Sequence, residues 1–218
     1  MSKILISGYY GFANAGDEAM LTAIIESLRQ VEKNVELTVL SGNPEDTAAK
    51  HQVCSVYRFN PLGIIRAMKD SELIISGGGS LLQDVTSKRS LLYYLSIIGL
   101  GKFFGKKVML FAQGIGPIRA KWARKLTSLV CNEADLITVR DSESAAELIE
   151  MGVKPEKITV TADSVLSLNP VTKECGQYLL QEAGVDLTKP VIGISVRPWS
   201  GDSQCFQVLA EAASKLQQ

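Results

Sequence analysis

Two acidic residues, Asp17 and Glu18, close a glycine-dense turn, Gly8-Tyr9-Tyr10-Gly11-Phe12-Ala13-Asn14-Ala15-Gly16, which opens straight from the apolar run Lys3–Ser7. A neutral alcohol becomes a nucleophile when a carboxylate takes its proton. Asp17 is therefore the first candidate base, with Glu18 a candidate grip on a sugar hydroxyl. Both acids serve equally well as first-turn partners of a helix dipole. Asp84, shortly after Gly77-Gly78-Gly79-Ser80, is a second carboxylate of this kind, and Asn14 is placed to hydrogen-bond a hydroxyl. Arg140 and Arg197 each follow an apolar run, where a guanidinium fork could clamp carboxylate or phosphate. Asp141, beside Arg140, would hold that guanidinium in place.

These groups sit after runs that read as strands. In an open parallel sheet, ligands bind outside the carboxyl ends of the strands. The turns there are Gly8–Glu18, Gly77–Ser80 with Leu81-Leu82-Gln83-Asp84, Gln113-Gly114-Ile115-Gly116-Pro117, Arg140-Asp141-Ser142 and Arg197-Pro198. Glycine brings backbone N–H groups close to a ligand, and a helix start adds partial positive charge. A single such turn is more often a packing device. Three together point to a rim for a small, multiply charged anion. The expected substrate-binding set is Gly8, Tyr10, Asn14, Gly16, Glu18, Gly77, Gly78, Gly79, Ser80, Asp84, Gln113, Gly114 and Gly116, with Asp17, Arg140 and Arg197 catalytic.

The elements that must carry these turns alternate strictly. Strands are expected at Lys3–Ser7, Glu36–Leu40, Val53–Arg58, Leu73–Ser76, Val108–Ala112, Leu136–Val139, Ile158–Thr161 and Val191–Val196. Helices are expected near Asp17–Val31, Pro44–His51, Pro61–Lys69, Leu91–Phe104, Trp122–Asn132, Ser142–Met151, Cys175–Ala183 and Gln204–Gln217. Such alternation implies βαβ crossovers and an α/β, Rossmann-like parallel sheet. Ser142 reads as the cap of its helix, and Pro61 as a first helical residue. The rhythm breaks after Ala162, so residues 1–165 read as one domain, 166–190 as a linker, and 191–218 as the start of a second Rossmann-like domain.

Composition excludes several functions. The 23 basic and 23 acidic residues cancel, leaving no electrostatic footprint for nucleic acid. The four cysteines are scattered without a C-x-x-C pair, so no metal or redox site is expected, and a reducing, cytoplasmic compartment is the default. Cys54, Cys131 and Cys205 fall on apolar faces and read as core. The single histidine, His51, lies at a helix end without a nucleophile motif. The run Leu91–Phe104 is too short and interrupted to span a bilayer. It reads as a buried helix, or as an apolar side resting on the inner face of the plasma membrane. The basic run around Trp122 reads as a solvated face. The first turn lacks G-x-G-x-x-G, and the second strand ends in Leu40-Ser41-Gly42 rather than an acid, against an NAD enzyme.

At these turns the chain resembles the polysaccharide pyruvyl transferase family. The pieces are Gly8-Tyr9-Tyr10-Gly11-x-x-Asn14-x-Gly16-Asp17-Glu18, Ser76-Gly77-Gly78-Gly79-Ser80, Gln113-Gly114-Ile115-Gly116-Pro117, Arg140-Asp141-x-x-Ser144, Ala162-Asp163 and Arg197-Pro198. The resemblance implies the N-terminal half of a GT-B-like two-domain architecture, since members generally continue well beyond residue 218. It implies no cofactor, with phosphoenolpyruvate as donor substrate. The implied acceptor is a lipid-linked glycan bearing adjacent 4- and 6-hydroxyls, and the product a cyclic pyruvate ketal. Its nearest likeness is to bacterial members that pyruvylate N-acetylmannosamine in secondary cell wall polymers anchoring S-layer proteins. Peripheral membrane contact goes with such an acceptor. Two other readings stand beside this one: a nucleotide-sugar glycosyltransferase of similar architecture, and a glycan-binding module without turnover.

Overall fold

The computed structural model describes residues 1–194, 196 and 203–216. Seven strands form a single parallel sheet: β1 (Lys3–Tyr10), β2 (Glu36–Ser41), β3 (Cys54–Tyr57), β4 (Leu73–Gly77), β5 (Lys107–Gln113), β6 (Leu136–Val139) and β7 (Ile158–Val160). Their order is β3-β2-β1-β4-β5-β6-β7. All seven occupy stretches where β-branched and aliphatic runs predict strands. Central β1 is buried continuously from Ile4 to Gly8, as a strand covered on both faces must be. It pairs Leu5 with Thr38 on one side and with Ile74 on the other.

Six helices connect these strands: α1 (Ala15–Val31), α2 (Pro44–His51), α3 (Pro61–Asp70), α4 (Lys88–Phe103), α5 (Lys121–Glu133) and α6 (Ser142–Glu150). Asn14, Asn43, Asn60 and Ser87 cap four of them through side-chain oxygens. Pro61 opens α3 as expected. The cap of α6 is Asp141 rather than Ser142, because its Oδ1 accepts the Ser144 amide at 2.7 Å. The core forms two clusters. Leu21, Ile24 and Ile25 of α1 pack with Ile4, Ile6, Val39 and Ile75 on one face. On the other face α3, α4 and α5 cover Leu5, Leu40, Ile74, Leu110 and Ile137. Helix α4 is therefore a core helix, burying Leu91, Tyr94, Leu95, Ile97 and Ile98. Among the described residues, no helix is long and apolar enough to cross a membrane.

The chain divides into a unit of Met1–Asn169 and a unit of Pro170–Gln218. The second contains α7 (Lys173–Glu182) and α8 (Ser203–Leu216). The strand expected at Val191–Val196 is not formed at its described residues, 191–194 and 196. A strand needs a neighbour for its N–H and C=O groups, and the described part of this unit supplies none. Cys131 is buried, whereas Cys54 and Cys205 are exposed, contrary to the core role expected of them. Cys54 belongs to the edge strand β3, and Cys205 to a helix with little covering it.

Candidate functional site

The strand order fixes where a site can form. From β1 the chain winds outward through β2 to β3, then returns to place β4 on the other side of β1. The turns after β1 and β4 therefore diverge and leave a crevice between them, the place where open α/β sheets bind ligands. Asp17 lies on one wall. A Cβ built on Gly79, on the opposite wall, would stand 3.2 Å from Asp17 Oδ1. Gly78 and Gly79 hold φ of +50° and +72°, which only glycine adopts freely, and so bring this wall close to α1. Leu81 and Leu82 then dip into the core and anchor the loop.

Asp17 is the one carboxylate in the crevice with no hydrogen-bond partner among the described residues. Burial, reinforced by Glu18 next to it, raises its pKa from 3.8 to about 6. That value suits a base working near neutrality. Asn14 is exposed at the start of α1, and its Oδ1 accepts from the amides of Gly16 and Asp17 at 3.0 and 3.3 Å. Glu18 instead braces the turn. Its Oε1 accepts the Gly11 amide at 2.8 Å and its Oε2 lies 3.4 Å from His51 Nε2. His51 does end a helix as expected, but its side chain is nearly enclosed by this pairing.

Arg140 joins three turns. Its Nη2 donates to Ser80 Oγ at 3.2 Å, its Nη1 reaches Asp163 Oδ2 at 3.3 Å, and its Nε reaches Asp141 Oδ2 at 3.4 Å. The guanidinium lies flat across Gly114, where an added Cβ would meet it at 2.8 Å. Asp141 thus both caps α6 and orients Arg140. Beyond β7 the chain returns over the strand ends, and its 3-10 turn Ser164–Ser167 packs against α1.

Several expected ligand contacts prove to be internal scaffolding. Tyr10 is 1% exposed, and its hydroxyl donates to the Gly77 carbonyl at 3.2 Å. Its ring fills the space beside Gly8 and Gly77, so none of the three faces a ligand. Gln113 is fully buried, and its Nε2 donates to Ser76 Oγ at 2.9 Å, tying the end of β5 to β4. The amides of Gly78, Gly114 and Gly116 donate to the carbonyls of Phe111, Gly79 and Leu82. Spent in this way, they lace the turns together rather than cradle an anion. Asp84 accepts the amides of Arg119 and Ala120 at 2.9 and 2.8 Å, which lowers its pKa and makes it a tether, not a base. Asn14, Gly16, Asp17, Ser80 and Arg140 remain at the accessible rim. Arg197 lies outside the described residues. A hollow of about 460 Å³ beside β3 and α3 holds none of the candidate residues.

Sequence reasoning missed Arg58. It reads as the last residue of a strand, yet it lies just beyond β3, 5% exposed, within a box of aromatic rings at the same strand ends. Its only signal is an arginine closing an apolar run and followed by Phe59.

The model of one family, polysaccharide pyruvyl transferase, matches residues 14–199. No curated protein matches the chain. Among solved structures, HepE from Anabaena in complex with UDP and glucose is similar over 97% of this chain and 58% of its own, with a TM-score of 0.61 and 15% identity. A UDP-GlcNAc 2-epimerase from Neisseria meningitidis, bound to UDP-GlcNAc, gives 0.60 and 12% over 99% and 63% of the two chains. A glycosyltransferase from Rickettsia africae gives 0.58 and 14% over 99% and 57%. The chain thus spans about three-fifths of the length of these structures. At such identities the likeness shows the fold alone, a Rossmann-like half of the GT-B type.

Proposed function

We propose, from the premise that the chain belongs to the polysaccharide pyruvyl transferase family, that it contributes one wall of a site transferring pyruvate from phosphoenolpyruvate to a glycan. The acceptor is a cell wall glycan precursor carried on a lipid. Its sugar offers 4- and 6-hydroxyls, as N-acetylmannosamine does, and the ketal serves S-layer anchoring. One observation carries the reading: Asp17, an unpartnered carboxylate with its pKa raised to about 6, stands in the crevice between β1 and β4, near the rim that Arg140 and Ser80 share.

The chemistry asks for those groups. An acceptor hydroxyl attacks C2 of phosphoenolpyruvate as its proton passes to a carboxylate, C3 takes a proton from water to become a methyl group, and the carboxylate afterwards returns its proton to solvent. The second hydroxyl then displaces phosphate from C2, its proton leaving with the phosphate, and the cyclic ketal closes. Asp17 takes the first proton. Asn14 and the amides at the start of α1 orient the acceptor, while Arg140 and Ser80 face the donor's carboxylate and phosphate as charge develops. The reaction needs no cofactor, and the protein works in the cytoplasm at the inner membrane face, where a lipid-linked acceptor resides.

The test is phosphate release from phosphoenolpyruvate by the full-length gene product, supplied with a lipid-linked disaccharide bearing N-acetylmannosamine. Release that depends on acceptor and is lost in Asp17→Asn supports the reading. No release, together with turnover of a UDP-sugar, overturns it in favour of a glycosyltransferase.

A further inference from the structure

Among the described residues, Arg58 is a buried cation without a counter-ion. Its backbone amide donates to Ser41 O at 2.9 Å, fixing it past the end of β3. Its Nη2 lies 3.4 Å from Tyr94 Oη. Its Nε and Nη1 are both buried and make no well-formed hydrogen bond, their one polar neighbour besides Tyr94 being the Tyr93 hydroxyl, which also lacks one. Among the described residues, no carboxylate pairs with it. Five rings surround it instead, from Tyr93 at 4.4 Å to Tyr9 at 6.0 Å from the guanidinium carbon.

This arrangement leaves a full positive charge buried among neutral groups. A buried ion without an opposite charge is costly, and five cation–π contacts offset that cost without neutralising the charge. An arginine keeps its charge in any such site. The cover is thin: Tyr9 and Phe12 stack at 4.3 Å, are 40% and 42% exposed, and belong to the same turn as Asn14 and Asp17. The guanidinium has two forks, one shared by Nε and Nη2 and the other by Nη1 and Nη2. Each therefore includes one unmet nitrogen, and each matches a pair of phosphate oxygens.

We propose that Arg58 binds a phosphate group of a substrate, in a pocket uncovered when the Tyr9–Phe12 pair swings away from the guanidinium. This supplies the missing charge, and it adds to the pyruvyl-transfer reading a phosphate subsite on the β1–β3 side of the crevice. The phosphate comes from one of two sources, the monoester of the donor or the diphosphate of a lipid-linked acceptor. The proposal rests on that reading only for the presence of such substrates.

The experiment is thermal unfolding of the full chain, titrated with inorganic phosphate and with pyrophosphate at constant ionic strength, alongside Arg58→Met. Wild type is expected to show a saturable rise in Tm, following the linkage between ligand concentration and stability. Arg58→Met, with the lone charge gone, should match or exceed wild type without ligand and bind phosphate roughly tenfold or more weakly. Tighter binding of pyrophosphate assigns the acceptor as source, and tighter binding of phosphate assigns the donor. Absence of a saturable shift, or an equal shift in Arg58→Met, overturns the proposal. Should Arg58→Met fail to fold, Phe12→Ala decides: removing the cover should tighten phosphate binding, and unchanged affinity overturns the idea. No turnover is read, so a failure here leaves pyruvyl transfer standing, and failed turnover with intact phosphate binding does the reverse.

Discussion

Asp17 and Gly114 make opposite demands on the protein. Burial lifts the Asp17 carboxyl to about 6 from an ordinary 3.8, so the folded chain holds that proton more tightly than the unfolded one. Stability therefore falls as pH rises from about 4 to about 6, and the loss is complete above that window. Asp17→Asn should be more stable than wild type by about 1 kcal/mol near pH 7, a figure reduced for partial exposure. The advantage should vanish near pH 4, which denaturant unfolding at the two values would check. The same variant should lose activity by roughly 10²–10⁴-fold, and wild-type kcat should rise with pH through about 6. Gly114→Ala works the other way. The new methyl group meets the end of Arg140, a flexible and one-third exposed side chain that can yield. The Tm should hardly move, while kcat/KM falls about 10²-fold because the guanidinium leaves Ser80 and Asp163.

The turns between elements are where sequence reading and structure part. Periodicity found β1 to β7 because each is a short β-branched run. It found the six helices of the first unit because helical patterns alternate with those runs; Pro61 marks one start, whereas α5 begins without a side-chain cap and α6 is capped by Asp141 rather than Ser142. The turns follow the strands as expected, although Gly8–Tyr10, Gly77 and Gln113 still belong to β1, β4 and β5; their amides are not legible, since whether a glycine N–H faces a ligand or a neighbouring carbonyl depends on residues far away in sequence. Gly114 and Gly79 show this, 35 positions apart yet joined by a backbone hydrogen bond of 3.0 Å. Asp84 was misjudged for the same reason, its partners Arg119 and Ala120 lying on the next turn. Asp84→Ala should unlace those two turns and lower stability by about 1–3 kcal/mol. The remaining folded molecules should keep normal kcat, in contrast to Asp17→Asn. Arg58 escaped notice because burial, which makes it unusual, cannot be read from an arginine at a strand end.

The unit Met1–Asn169 contains the whole sheet, both core clusters and every described candidate residue. A fragment ending at Asn169 should unfold cooperatively, with a Tm within a few degrees of the full chain, as calorimetry would establish. The weakest sequence inference falls in the remainder. The apolar run Val191–Val196 carries a strand pattern, but pattern without a pairing partner does not make a strand. Within the first unit, the segment after β7 crosses back to α1, placing Asp163 against Arg140 and the Ser164–Ser167 turn against the helix that bears Asp17. Residues almost 150 positions apart thus meet at one mouth. A nascent polypeptide still on the ribosome will have no binding-competent crevice until this late segment has emerged, so ligand capture can report that synthesis has passed it.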